Sequence, residues 1–242
     1  NEDIKESLGH PAIPSEEHPQ YIIRDEVCSE IKEYVLEIRK NDKDNKITMV
    51  SSEGSLTYYR VKLTSLISKD FTEEEVLVNK ESWYEENNVE VILNKIVEEL
   101  DCKNNTIKLD DGSKLEYEKL LIATGSRPFI PPINGKYKEG VFALRSLRDL
   151  NQFKDYIASK DRVTVIGGGL LGLEAVWALK EAGKEVDVIE FGPYLLARQL
   201  DEEISRKLEE ELKKSGVNVY LSSQTEEIMG ESSVDGVRLN GD

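Results

Sequence analysis

A glycine-rich turn between a strand and a helix constrains the fold of this chain more than any other feature of its sequence. The residues Gly167-Gly168-Gly169-Leu170-Leu171-Gly172 directly follow the apolar run 163–166, and residues 170–182 then have apolar side chains at helical spacing. Glycines at the first, third and sixth positions permit a tight turn, close approach of the backbone to a pyrophosphate, and packing of helix against strand. The helix N-terminus adds free N–H groups and a partial positive charge. The pattern predicts a dinucleotide-binding β-α-β unit.

Glu190 stands at the end of the next predicted strand, where a carboxylate can bind the hydroxyls of an adenosine ribose. Its charge would repel a 2′-phosphate, so NAD(H) is expected rather than NADP(H). Arg198 is the first basic residue after Glu190 and would weaken that preference if it folded back toward the ribose. Glu174 is predicted in the first turn of the helix, where it either stabilises the helix end or contacts the nicotinamide end of the ligand.

The first half of the chain carries a second β-α-β pattern. Residues 21–23 and 46–50 have the character of strands, and residues 26–40 between them have helical spacing. Later segments are predicted as a helix at 59–68, strands at 89–93, 95–100, 106–109 and 115–117, a hairpin turn at 110–113 and a buried strand at 119–123. Ser146 is predicted to cap a helix that ends at Ile157, before strands and helices alternate. The whole pattern predicts an α/β protein with two doubly wound units.

Charge and composition narrow the class of protein. The formal net charge of −16 opposes binding to a phosphate backbone, so no nucleic-acid partner is expected. No apolar run approaches the roughly twenty residues that span a bilayer, and the acidic residues 1–20 lack an export signal. We therefore predict a soluble, cytoplasmic protein without a membrane partner. Cys28 and Cys102 are too few and too far apart for a metal cluster or a redox pair, so neither a metal site nor a catalytic cysteine is expected.

Four stretches of the sequence share their residues with one enzyme superfamily. They are Ile47-Thr48-Met49-Val50-Ser51-Ser52-Glu53, Tyr58-Tyr59-Arg60-Val61-Lys62-Leu63, Leu121-Ile122-Ala123-Thr124-Gly125-Ser126-Arg127-Pro128, and residues 163–221. In them the chain resembles the FAD-dependent pyridine nucleotide-disulfide oxidoreductases, particularly the branch of the NAD(P)H:rubredoxin reductases and nitrite-reductase large subunits. The likeness covers most of the chain after Lys40.

This resemblance implies a flavoprotein with two Rossmann-like, three-layer domains and an antiparallel β insertion. After a leader or linker at 1–20, residues 21–145 would form an FAD-binding-like domain and residues 146–242 the NAD(H)-binding domain. Hydride would pass from NADH to FAD, and electrons would pass on to an acceptor such as a rubredoxin-like protein. The FAD contacts that the resemblance implies are Glu53 at the adenosine ribose, Arg60 and Lys62 near the flavin, and Ala123, Thr124, Gly125 and Arg127 closing over it.

Two departures from the family pattern bear on the flavin half. Where the family has its first glycine turn, this chain has Arg24-Asp25-Glu26-Val27-Cys28-Ser29, in which side chains replace glycine and two carboxylates would repel a pyrophosphate. The chain also ends at Asp242, before the family's closing segment, so the NAD(H)-binding domain is expected to be C-terminally truncated. NAD(H) is therefore the expected cofactor, and FAD is implied by the resemblance although its main motif is missing.

Three interpretations remain open from the sequence. The first is an NADH-dependent flavoprotein oxidoreductase, or part of one that a partner chain completes. The second is a non-catalytic NAD(H)-binding scaffold or subunit that has lost FAD binding. The third is an incomplete sequence, or one joined artificially near residues 20–40, because the resemblance strengthens abruptly after Lys40. Bound flavin in the purified protein would separate the first interpretation from the second.

Overall fold

The fold is described from a computed structural model that covers residues 21–25 and 31–240, with side chains described from residue 31 onward. The predicted linker at 1–20 and residues 26–29 of the substituted turn lie outside these residues. None of the helices in the described residues is long and apolar enough to cross a membrane.

The chain forms two compact units, called here the first unit and the second unit. The first consists of the described residues within Asn1–Tyr59 together with Val76–Ser126. The second consists of Arg60–Glu75 and the described residues within Arg127–Asp242. The division after Ser126 falls in the proline-containing segment. Each unit takes its residues from two separate stretches, because Arg60–Glu75 interrupts the first unit in sequence.

A parallel sheet forms the centre of the first unit. Up to the division after Ser126, the elements in chain order are β1 (Tyr21–Asp25), α1 (Ile31–Asn41), β2 (Ile47–Ser51), α2 (Glu73–Val76), α3 (Glu81–Glu86), β3 (Val89–Ile92), β4 (Val97–Asp101), β5 (Thr106–Leu109), β6 (Lys114–Glu116) and β7 (Lys119–Ala123). The parallel strands lie in the order β3–β2–β1–β7. Their register places Asp25, the last residue of β1, opposite Ser51 on β2 and Ala123 on β7. The β-α-β pattern predicted for this half is confirmed.

The core of the first unit lies between α1 and the parallel sheet. Ile31 and Val35 on α1 belong to one buried cluster with Ile47 and Met49 on β2. Every residue of β2 is buried, as expected for a strand inside a parallel sheet that is covered on both faces.

The antiparallel insertion consists of β4, β5 and β6, in that order. Its predicted hairpin turn is confirmed, because Gly112 has φ +83° and its N–H donates to the Leu109 carbonyl oxygen at 2.9 Å. Lys95 forms an ion pair with Asp111 in this turn at 2.7 Å. The hydrogen bonds from Lys95 and Ser113 hold the pKa of the Asp111 carboxyl well below its usual value.

The second unit contains a further parallel sheet and an antiparallel hairpin. Its elements after the division are α4 (Leu147–Ile157), β8 (Arg162–Ile166), α5 (Leu170–Glu181), β9 (Glu185–Ile189), α6 (Glu202–Lys214), β10 (Val217–Tyr220), β11 (Thr225–Met229) and β12 (Gly236–Leu239). The parallel strands lie in the order β10–β9–β8, and β11 pairs with β12. The predicted alternation of strand and helix is confirmed.

Helix α4 begins and ends where the sequence predicts. The Ser146 side chain accepts a hydrogen bond from the Asp149 N–H at 3.1 Å, and the Asp149 carboxylate accepts one from the Ser146 N–H at 2.8 Å. This reciprocal pair satisfies two groups at the N-terminus that the helix itself cannot satisfy. The buried side chains of α4 are Leu147, Leu150, Phe153 and Ile157.

The helix predicted over residues 59–68 is replaced by two short 3-10 turns, Arg60–Lys62 and Thr64–Leu66. Leu63, Leu66 and Ile67 are buried, so the apolar residues that indicated a helix do face the core. A 3-10 turn has three residues per turn, and over so short a segment its spacing cannot be distinguished from that of an α-helix. The turn Thr64–Leu66 packs against α5 within the second unit.

Candidate dinucleotide-binding site

The turn after β8 has a backbone shape that requires glycine at its first and last positions. Gly167 has φ +116°, which side chains rarely permit, and its N–H donates to the Ile189 carbonyl oxygen at 2.8 Å. A Cβ on Gly172 would collide with the Gly167 carbonyl oxygen. The start of α5 therefore lies against the end of β8 at backbone contact.

Gly169 leaves space in front of the helix N-terminus. It is the N-cap of α5, its backbone is extended (φ −81°, ψ −179°), and it makes no side-chain cap hydrogen bond. A Cβ on Gly169 would meet no described heavy atom within 4 Å beyond its chain neighbours. The first N–H groups of a helix lack partners within it and carry a partial positive charge. They can therefore hold a phosphate that enters this space.

Glu190 joins the glycine turn to the segment after β9. Its Oε2 accepts a hydrogen bond from the Gly168 N–H at 2.7 Å, and its Oε1 accepts one from the Gly192 N–H at 2.6 Å. A carboxylate offers about four lone-pair sites, so these two bonds leave capacity for further donors such as ribose hydroxyls. Glu190 can therefore brace the turn and bind a sugar at the same time.

An open cavity of about 530 Å³ lies beside the turn, lined by residues 131–133, 166–167, 189–191 and 223–226. Pockets for small molecules commonly have about 300–1,000 Å³. The sequence analysis predicted only Gly167 and Glu190 among the lining residues. Residues 223–226 follow the carboxyl end of β10, the edge at which parallel sheets bind ligands, so this rule could have found them. The prolines at 131 and 132 indicated only an irregular crossover.

The structure corrects the position of Glu174. Because Gly169 is the N-cap and α5 begins at Leu170, Glu174 lies in the second turn of the helix rather than the first. Its Oε2 accepts a hydrogen bond from Thr64 Oγ1 at 3.0 Å. This hydrogen bond connects the segment Arg60–Glu75 to α5. Glu174 lies too far along the helix to stabilise the free N–H groups of its first turn.

The other residues predicted to bind NAD(H) lie at the surface of the second unit. Leu170 and Leu171 form the first turn of α5, and both are exposed. Arg198 is exposed in the segment between β9 and α6.

The residues that the resemblance connects with FAD are divided between the two units. In the first unit, Glu53 follows β2 and accepts a hydrogen bond from the Tyr58 hydroxyl at 2.6 Å, whereas Ala123, Thr124 and Gly125 follow each other at the end of β7. In the second unit, Arg60 donates to the Arg145 carbonyl oxygen at 2.9 Å, and Lys62 and Arg127 are exposed. Their roles toward a flavin stay predictions.

The two β-α-β units differ at the turn that would hold a pyrophosphate. Strand β1 ends at Asp25 and is followed by Glu26, whereas β8 ends at Ile166 and is followed by Gly167. No glycine occurs in residues 24–29, and glycine is the residue that permits close approach of the backbone to a pyrophosphate. The expectation that Asp25 and Glu26 oppose FAD at this turn therefore rests on the sequence alone.

The structure describes one of the two cysteines. Cys102, directly after β4, is an exposed free thiol. Among the side chains that the structure describes, from residue 31 to residue 240, no three His, Cys, Asp or Glu are grouped as a metal ion would require.

The parallel sheet, the glycine turn with its open helix N-terminus, and the carboxylate after the second strand together define a dinucleotide-binding α/β protein. The family model described as pyridine nucleotide-disulphide oxidoreductase matches residues 33–242. The chain belongs to this family. The match begins after the substituted first turn, and it confirms the resemblance noted in the sequence.

Two curated relatives fall in the branch that the resemblance indicates. The chain is 38% identical over 207 residues to a nitrite reductase [NAD(P)H] of Bacillus subtilis, covering 86% of this chain and 26% of the relative. It is 35% identical over 186 residues to an NADH-rubredoxin oxidoreductase of Clostridium acetobutylicum, covering 77% of this chain and 48% of the relative. The chain thus spans about a quarter to a half of the length of these relatives.

A solved structure agrees with this relationship. The crystal structure of NADH:rubredoxin oxidoreductase from Clostridium acetobutylicum matches with a TM-score of 0.75 and 30% sequence identity. The match covers 86% of this chain and 54% of that chain. The α/β architecture predicted from the sequence is therefore confirmed.

Proposed function

We propose that this chain supplies the NAD(H)-binding part of an NADH-dependent flavoprotein oxidoreductase. The observation that carries the proposal is the glycine turn of the second unit, where space lies open at Gly169 while Gly172 is in backbone contact with Gly167. This combination leaves room for a ligand at the helix N-terminus without loosening the helix from the strand.

The residues of the second unit would divide the binding of NADH between them. The N–H groups at the start of α5 would hold the pyrophosphate, and the Glu190 carboxylate would accept hydrogen bonds from the adenosine ribose. The hydrogen bonds from Gly168 and Gly192 keep that carboxylate in place before the ligand arrives. When bound, the nicotinamide supplies a hydride.

The complete activity belongs to a longer protein in the relatives. Their names include rubredoxin as an electron acceptor and nitrite as a substrate, and the chain spans at most about half of their length. We therefore extend the proposal to a redox protein such as a rubredoxin as acceptor, or to a further segment or subunit that completes the enzyme. The proposal also includes a cytoplasmic location, which cell fractionation would test.

The test of the proposed site is Gly169→Val. The backbone of Gly169 suits any residue and a Cβ there meets no described neighbour, so the variant should fold as stably as the original protein. Its side chain would occupy the space for the pyrophosphate, so NADH affinity should fall at least about tenfold, as measured by titration of NADH fluorescence. Unchanged affinity in a folded variant would place the ligand elsewhere.

A second function is favoured by one observation, the absence of glycine after β1. If that turn cannot hold FAD, the chain would be a non-catalytic NAD(H)-binding scaffold or subunit. An ultraviolet-visible spectrum of the purified protein, followed by NADH addition without oxygen, separates the two functions. A flavin band that bleaches supports the oxidoreductase, whereas a colourless protein that binds NADH supports the scaffold.

A further inference from the structure

We propose that Ser205, on α6, is a positioning residue for the phosphates of the bound dinucleotide. The inference rests on the proposed NAD(H) site and adds a residue that lies outside both the glycine turn and the cavity beside it. Ser205 acts through two peptide groups, which lead from its hydroxyl to the N–H group of Gly169 at the start of α5.

The Ser205 hydroxyl is buried and bonds outside its own helix. The residue is 1% exposed, and its Oγ donates to the Leu195 carbonyl oxygen at 2.8 Å. A serine inside a helix usually points to solvent or donates to the carbonyl oxygen four residues earlier. The hydroxyl of Ser205 instead holds the segment between β9 and α6.

The peptide group that joins Leu195 to Leu196 is held from both sides. Its C=O accepts the Ser205 hydroxyl, and its N–H donates to the Gly168 carbonyl oxygen at 3.0 Å. Leu196 has φ +50°, which residues other than glycine rarely adopt, so contacts outside the residue must hold it there. Leu195 is fully buried, and a Cβ on Gly168 would collide with its side chain. The segment therefore lies directly against the glycine turn.

The peptide group that joins Gly168 to Gly169 continues this series to the helix N-terminus. Its C=O accepts the Leu196 N–H, and the described residues contain no cis peptide bond. In a trans peptide the C=O and N–H point in opposite directions, so the Gly169 N–H points away from Leu196. It makes no hydrogen bond to any residue that the structure describes. A phosphate oxygen can accept this free N–H group.

The three donors are arranged in series, from the Ser205 hydroxyl through the Leu196 N–H to the Gly169 N–H. Hydrogen bonds in such a series polarise one another, and each one strengthens the next. The hydroxyl therefore fixes the direction of the Gly169 N–H and makes it a better donor. A phosphate gains from this because hydrogen bonds to a charged acceptor are the stronger ones.

The experiment compares Ser205→Ala with Ser215→Ala. Ser215 follows the last residue of the same helix, and its Oγ also donates to a backbone carbonyl oxygen, that of Glu211, at 2.9 Å. The dissociation constant of NADH is measured by fluorescence, and that of adenosine by competition with NADH. Ser205→Ala should weaken NADH about fivefold, as expected for one lost hydrogen bond, and leave adenosine, which has no phosphate, unchanged. Ser215→Ala should change neither affinity.

The backbone amide signals of the ligand-free protein in NMR spectra give a readout that a general loss of stability would not move. Ser205→Ala should shift the signals of Leu196 and Gly169, whereas Ser215→Ala should leave both in place. Ser205→Cys replaces the hydroxyl by a thiol, which is a weaker donor. It should weaken NADH less than Ser205→Ala does, and it provides the test if Ser205→Ala folds poorly.

Two outcomes would show a merely structural role and overturn the inference. One is an equal loss of affinity for NADH and adenosine, and the other is an unchanged signal of Gly169 in both Ser205 variants.

The remaining outcomes separate this inference from the proposed function. If Gly169→Val loses NADH while Ser205→Ala binds it normally, the NAD(H) site stands and the role of Ser205 is refuted. If the unaltered chain does not bind NADH, the proposed function fails and the inference fails with it.

Discussion

Glu190 combines two tasks that are usually considered separately. Its carboxylate accepts hydrogen bonds from the N–H groups of Gly168 and Gly192, which lie on opposite sides of Glu190 in sequence. Glu190 also lines the cavity. Hydrogen bonds from N–H groups to a carboxylate are charge-assisted and stronger than those between neutral groups. Loss of this side chain should therefore disturb the shape of the turn as well as the recognition of a ribose.

The Glu190→Ala variant is expected to bind NADH about tenfold more weakly and to discriminate less between NADH and NADPH. The carboxylate that accepts the ribose hydroxyls is lost, and so is the charge that repels a 2′-phosphate. Fluorescence titrations with both nucleotides measure the two affinities.

The matched control is Glu185→Ala, at the other end of β9. Glu185 is exposed and forms an ion pair with Arg162 at 2.8 Å. This variant should bind both nucleotides as the original protein does. If Glu190→Ala changed neither the affinity for NADH nor the affinity for NADPH, Glu190 would not be part of the site.

Gly172→Ala should lower the free energy of unfolding by about 1–3 kcal/mol, because its Cβ would collide with the Gly167 carbonyl oxygen and force α5 away from β8. Urea denaturation followed by circular dichroism measures this loss. Gly169→Ala is the comparison, and its effect should stay within about 0.5 kcal/mol, since its Cβ meets no described neighbour. Equal stability of the two variants would contradict the close packing at Gly172.

At the scale of elements, Ser146→Ala should reduce the free energy of unfolding by about 1 kcal/mol. The change removes the hydroxyl that accepts the Asp149 N–H and leaves that donor without its cap. Denaturation by urea measures the difference. Ser215→Ala serves as control, because Ser215 Oγ donates to the Glu211 carbonyl oxygen at the end of α6 and caps no N–H group. A similar loss of unfolding free energy in both variants would show that the cap does not stabilise α4 beyond an ordinary surface hydrogen bond.

The elements that the sequence predicted well are those with local signals. The cap of α4 requires only Ser146 and Asp149 at a spacing of three, and the turn after β8 is marked by its own glycines. The contact between Thr64 and Glu174 joins residues 110 positions apart, and no local pattern encodes it.

At the scale of the whole molecule, the net charge of −16 should slow the approach of the anionic NADH. The screening length falls from about 30 Å at 0.01 M salt to about 8 Å at 0.15 M. The association rate measured by stopped-flow fluorescence should therefore rise with salt over this range, on the order of a few-fold. A rate that falls with salt would show that the local positive field at the start of α5 outweighs the net charge.

The second unit is built from two stretches that are far apart in sequence, and this has a consequence for biosynthesis. Arg60–Glu75 leaves the ribosome before the first unit is complete and long before the helix α5 against which it packs. At about 5–20 residues per second, roughly 5–20 s would pass before that partner emerges. During this interval the apolar side chains of Leu63, Leu66 and Ile67 lack their final burial, so a chaperone that captures nascent chains should find its binding site there.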